Sequence, residues 1–236
     1  MRRIPAPTSW VLLLAALAAS LFDARAAAQE SGALYVGGNF GYALSSYGRK
    51  ALDDALTSNV NSAGDALTLD AAFVHDKEGM WSADLGYMMS PNFSVEASYL
   101  DLETLKYFAS GTEESLAAPY LGPNPLATKV DISSRGPALA LIGVLPMTND
   151  WYVSARAGAY EGKTTSDYRI LAGTSLAIGS ESARSTTFLA GAGTTYVLGA
   201  HWMLRLDYLY LNQIKEKLLG QSFNVSLVMA GVAYVF

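Results

Sequence analysis

The stretch "HWMLRLDYLYL", His201–Leu211, separates its residues cleanly by parity. Even positions Trp202, Leu204, Leu206, Tyr208 and Tyr210 make one apolar, aromatic-rich row, while Arg205 and Asp207 fall on the other. A helix would scatter these residues around its axis. A strand puts them on opposite faces, so a period of two reads as β-structure with one face in an apolar medium. The same sorting holds upstream. Phe93, Val95, Ala97 and Tyr99 oppose Ser94, Glu96 and Ser98; Trp81, Ala83, Leu85 and Tyr87 oppose Ser82, Asp84 and Gly86. Trp151, Val153, Ala155 and Ala157 oppose Ser154, Arg156 and Gly158. Only "ALALIGVL", within 129–145, is apolar on both parities and leaves its faces open.

Eight such segments are expected: 33–43, 79–90, 92–104, 129–145, 150–162, 185–198, 200–212 and 222–236. Their connections alternate in length. Three are short, around Pro91, Pro146 and Gly199; four are longer or more polar, 44–78, 105–128, 163–184 and 213–221. Short and long connections therefore gather at opposite ends, and an even strand number brings both termini to the short end. This is the asymmetry of a transmembrane barrel. The predicted fold is all-β, an eight-stranded antiparallel up-and-down transmembrane β-barrel. A soluble barrel would turn its apolar face inward and its charges outward. Against that stand Trp81, Phe93, Trp151, Trp202 and Tyr234, aromatic residues near strand ends on the apolar face, where interfacial girdles belong. The opposite face mixes charge with Gly, Ala and Ser and reads as a wet or hydrogen-bonded lumen.

The chain ends "NVSLVMAGVAYVF", Asn224–Phe236, with no polar tail. An unpaired backbone group in hydrocarbon costs several kcal/mol, so the last strand is expected to close on the first and to send Val228, Ala230, Val232, Tyr234 and Phe236 toward lipid. At the other terminus, Arg2 and Arg3 precede a 13-residue apolar run, Trp10–Phe22, and small residues at Ala26 and Ala28. The run is too short to span a bilayer as a helix, and residues 1–28 are expected to be a cleaved secretory signal, with 29–236 the barrel domain. The full chain carries a net charge of −5. Removing Arg2, Arg3, Arg25 and Asp23 leaves 13 basic and 20 acidic residues, a net charge of −7, with no electrostatic footprint for nucleic acid.

The quoted segments "LGYMMSPNFSVEASYLDL" (85–102), "RGPALALIGVLPMTNDWYVSARAGA" (135–159), "FLAGAGTTYVLGAHWMLRLDYLYL" (188–211) and the final "VAYVF" together resemble the transmembrane domain of outer-membrane protein A and related eight-stranded outer-membrane barrels. The resemblance runs over nearly all of 33–236. It implies a Gram-negative outer membrane as the location, outer-membrane lipids and lipopolysaccharide as surroundings, and a lumen crossed by salt bridges. It also implies an assembly signal read by the barrel assembly machinery, with Tyr234 and Phe236 in the matching positions. The family's separate peptidoglycan-binding domain is not expected, because no sequence follows Phe236.

The lumen-facing charges Asp84, Glu96, Arg156, Arg205 and Asp207 all lie roughly four to seven residues from a short turn, which places them in one layer. Asp84 and Glu96 would repel on neighbouring strands, and Arg156 and Arg205 are their natural counter-ions. A structural plug and a gated ion path both use these residues. Enzymatic readings lack parts. There is no Cys, and the two histidines, His75 and His201, are expected in a long loop and in a short turn, apart from each other. No catalytic triad, metal or cofactor is expected, and a lipid-modifying barrel enzyme is the least supported reading. "GAGTTY", 191–196, precedes no helix and is no dinucleotide loop. Residues 48–67 have helical tendency and are expected to be a partly ordered external loop. The function expected is a structural or surface-interaction barrel, with a small pore as the alternative, and any extracellular ligand is expected to meet 44–78, 105–128 and 163–184.

Overall fold

The computed structural model describes residues 31–46, 49–62, 65–75, 77–115, 124–172, 175–199, 201–215 and 222–236. The expected signal segment lies outside these residues. The elements are β1 (Leu34–Ser45), α1 (Arg49–Ser62), β2 (Asp65–His75), β3 (Lys77–Ser90), β4 (Phe93–Ser115), β5 (Asn124–Pro146), β6 (Trp151–Ala172), β7 (Ser175–Leu198), β8 (Trp202–Lys215) and β9 (Ser222–Val235).

The strands form one sheet in the order β2-β4-β3-β1-β9-β8-β7-β6-β5, and β4 also pairs β5. That last pairing closes the sheet on itself. β2 and β3 both run antiparallel to β4, one after the other: β2 pairs Lys106 to Ser115, and β3 pairs Phe93 to Leu102. They occupy a single position in the wall, so the ring has eight strands. The seam joins β1 to β9 from Tyr35↔Val235 to Ser45↔Val225, and the Phe236 amide donates to the Leu34 carbonyl at 2.9 Å. The final residues keep their hydrophobic pattern because they are one edge of this seam.

Alternation decides which residues enter. On β8, Met203, Arg205, Asp207, Leu209 and Leu211 are buried while Trp202, Leu204, Leu206 and Tyr208 face outward. On β5 the open parity resolves: Ala138, Ala140 and Ile142 point in, and Leu139 and Leu141 point out. Outward residues at the short-turn end include Trp151 and Trp202, each about half exposed. Further up the wall Phe40 and Trp81 pair across β1 and β3.

Three expectations are corrected. First, most of 105–128 and 163–184 is strand, since β4, β5, β6 and β7 each run 22 to 24 residues. Their outer ends continue the hydrogen-bond ladder beyond the apolar belt, first through polar residues and then to exposed apolar ones such as Phe108, Leu171, Leu176 and Ile178, with no unbroken period-two row to mark them. Second, within 44–78, α1 and β2 replace a loop. Leu52 of α1 is fully buried, Leu56 packs beside it, and Asp53 accepts a 2.7 Å hydrogen bond from the Tyr107 hydroxyl. Third, the lumen is not polar throughout. Its long-end half is packed with Leu100, Leu102, Leu209, Leu211, Leu227 and Met229 among others. These residues sit on the inward parity beyond the charged positions, where the strands are apolar on both faces.

Candidate functional site

The charged layer lies between two apolar ones. Below it, toward the short turns, Tyr35, Met88, Met203 and Ala233 pack together; above it lies the leucine-rich cluster. Four strands deliver its charges: β3 brings Asp84, β4 Glu96, β6 Arg156, and β8 both Arg205 and Asp207. None of the five is more than 7% exposed.

The structure brings all five together. Arg156 Nη1 lies 3.0 Å from Glu96 Oε1, and its Nη2 lies 2.8 Å from Asp207 Oδ1. Arg205 Nη1 lies 2.9 Å from Glu96 Oε2 and 3.5 Å from Asp84 Oδ2, while its Nη2 lies 3.4 Å from Asp207 Oδ2. Both guanidinium groups reach Glu96, Arg156 from β6 two strands away and Arg205 from β8 on the far side of the ring. Isolated ions in this setting would be costly, and mutual pairing with added hydrogen bonds is what makes their burial tolerable.

Three carboxylates face two guanidinium groups, and neutral donors serve the surplus acid. The Tyr35 hydroxyl donates to Glu96 Oε2 at 2.8 Å. The Asn39 amide donates to Asp84 and to the Ser82 hydroxyl, the latter at 2.9 Å, and Ser82 donates in turn to Asp84 at 3.2 Å. The Arg205 guanidinium also stands 5.9 Å from the Tyr35 ring centre, within cation–π reach. Tyr35 and Asn39 are not among the expected site residues. The signal was present as shared parity in "LYVGGN": residues 35 and 39 sit on the inward face of a strand whose outward face holds Leu34, Val36 and Phe40.

Glycines opposite the large residues make the layer fit. Gly86 pairs with Tyr35, and a Cβ there would strike the Tyr35 ring. Gly193 pairs with Asp207, and a Cβ there would strike its carboxylate. An eight-stranded lumen has room only for side chains, so every bulky group needs a bare position beside it.

The remaining expected residues lie elsewhere. Tyr234, near the end of β9, packs edge-on against Trp202 and Phe236, with ring centres 5.1 Å and 5.2 Å away. His201 stacks on Tyr234 at 5.3 Å in the short-turn region, whereas His75 stands beside Phe73 on β2 at the far end. The two histidines therefore share no site. Residues 191–196 are part of β7.

The family described as "Outer membrane protein beta-barrel domain" matches residues 14–236. No curated protein matches the chain. Among solved structures, the chain is similar to the outer-membrane protein OprG of Pseudomonas aeruginosa, with 16% identity, 89% of this chain and 98% of that chain covered, and a TM-score of 0.47. It is also similar to Neisserial surface protein A, with 13% identity, 87% and 100% covered, and a TM-score of 0.47. A third likeness is to the N-terminal β-barrel domain of Pseudomonas aeruginosa OprF, with 11% identity, 88% and 100% covered, and a TM-score of 0.42.

Proposed function

The chain belongs to the outer-membrane protein β-barrel domain family, and from that premise we propose that it is a barrel closed by its charged layer, with a structural and surface-interaction role. It is an integral protein of a Gram-negative outer membrane, in contact with outer-membrane lipid. The observation that carries the closed reading is the convergence of Arg156 and Arg205 on Glu96, which fills the lumen section with paired side chains at 2.9–3.0 Å. A solute would have to break these pairs and then cross the apolar half above them.

The surface role rests on the wall's uneven height. β4 to β7 and β2 rise well past the apolar belt, while β1, β8 and β9 stop short. This raised sheet, with α1 against β2, is the extracellular face to which a ligand would come. Lipopolysaccharide is the lipid partner in this reading. The barrel assembly machinery is the partner during insertion, with Tyr234 and Phe236 as the recognised pair. Residues 1–28 serve as the export signal and 29–236 as the barrel domain.

The test is permeability of whole cells. Cells that express the chain should hydrolyse a chromogenic β-lactam no faster than cells that lack it. Faster hydrolysis at equal expression of the periplasmic β-lactamase would favour the pore instead.

A further inference from the structure

The outward face of β4 to β7 changes character abruptly. On β6 the outward residues run Trp151, Val153, Ala155, Ala157 and Ala159, then Glu161 and Lys163. The apolar part covers about 26 Å of strand at ~3.3 Å per residue, or about 20 Å of height at a strand tilt of ~40°, within the ~25 Å band of such barrels. On the same tilt Lys163 stands about 10 Å above Ala159, about 5 Å past a ~25 Å band that begins at Trp151, at the depth of outer-leaflet headgroups.

In that row three cations are direct cross-strand neighbours. Arg135 of β5 pairs with Lys163 of β6, and Lys163 pairs with Arg184 of β7. All three side chains are exposed on the same face. Like charges directly opposite one another destabilise a sheet, so the row needs an anion. Carboxylates stand close by: Asp101 pairs with Arg135 across β4 and β5, and Glu161 lies two residues below Lys163. Among the described residues, neither forms an ion pair with any of the three cations. Beside the row the β5–β6 ladder skips from Arg135↔Lys163 to Ala138↔Tyr160, because Gly136-Pro137 interrupts it. The interruption leaves a recess of about 350 Å³ edged by Tyr99, Arg135, Glu161, Lys163 and Arg184.

We propose that Arg135, Lys163 and Arg184 form a binding site for the phosphate of an outer-leaflet glycolipid, with the acyl chains lying on the apolar wall of β5 and β6 below. Two guanidinium groups flanking an ammonium suit phosphate oxygens, to which Arg donates in a bidentate fork and Lys as a point charge. The row's position at the margin of the apolar belt selects a membrane-anchored phosphate over a free one. The proposal deepens the lipopolysaccharide partnership given above and rests on the same membrane placement.

The test uses the full chain refolded in nanodiscs carrying diphosphoryl lipid A or its dephosphorylated form, with retained lipid counted by native mass spectrometry. Wild type should retain the diphosphoryl form about tenfold better, a difference near 1.4 kcal/mol. Arg135→Gln/Lys163→Gln/Arg184→Gln should abolish that preference, whereas Lys129→Gln/Arg169→Gln, which removes two cations higher on the same sheet, should keep it. Equal retention of the two lipids by wild type overturns the site, even if the triple variant fails to fold. So does unchanged preference in a folded triple variant. Displacement of lipid A by millimolar inorganic phosphate would overturn the lipid as occupant. A chain that forms no heat-modifiable barrel in any lipid overturns the membrane placement itself, and the site with it.

Discussion

At the residue scale, Glu96 carries the layer. It accepts from Arg156, Arg205 and Tyr35 at once, so both guanidinium groups and a hydroxyl depend on one carboxylate. Removing one partner of such a network leaves an uncompensated buried ion, at about 3–5 kcal/mol, whereas removing both is far less costly. Arg205→Ala should therefore lower unfolding stability in urea by about that amount, measured in lipid vesicles. Glu96→Ala in the same background should recover part of it, with a coupling energy of about 2 kcal/mol. Additive losses would mean that the two side chains do not depend on each other. The five charges were legible in the sequence because they fall on the parity opposite an apolar, aromatic-rich row. Tyr35 and Asn39 were not, since an inward tyrosine resembles an interfacial one until its partner Glu96, 61 positions away, is known.

At the scale of elements, the transmembrane halves of the strands were readable and their long-end continuations were not. A strand announces itself when one face meets lipid. Beyond the belt both faces of "DISSRGP" (131–137) and "KTTSDYRI" (163–170) are polar or mixed, and the pattern that marks a strand is lost. The backbone nevertheless continues in register, from Arg135↔Lys163 to Leu126↔Ala172 on one side of β6 and from Lys163↔Arg184 to Ala172↔Ser175 on the other. Both edges of β6 are thus paired from Lys163 to Ala172. Its outer amides at Ser166, Asp167 and Tyr168 should exchange with deuterium far more slowly than unpaired backbone does, and comparably to those of Tyr152 to Arg156. Exchange of 166–168 on the timescale of free peptide would return that stretch to a loop. The helix α1 was half visible. Its tendency is plain in "RKALDDALTSNV", but its docking depends on Leu52 meeting the upper lumen, which no local pattern reveals.

For the whole molecule, the order of layers along the barrel axis matters more than any one of them. A small apolar cluster lies at the short-turn end, five charges and their neutral donors occupy the next section, and leucine-rich packing occupies the long end beneath the raised sheet. The ring, its closure and its topology followed from strand parity and loop alternation, whereas the apolar upper lumen did not, because Leu209 and Leu211 share their parity with Arg205 and Asp207, and those charges made the whole inward face read as wet. The closed barrel proposed above is one whose layers interrupt any continuous wet path. Its most direct test is single-channel recording in planar bilayers, with wild type and Arg156→Ala/Arg205→Ala compared at equal incorporation. The account predicts a silent wild type, with current steps, if any arise, confined to the double variant. Steady conductance from wild type would contradict it.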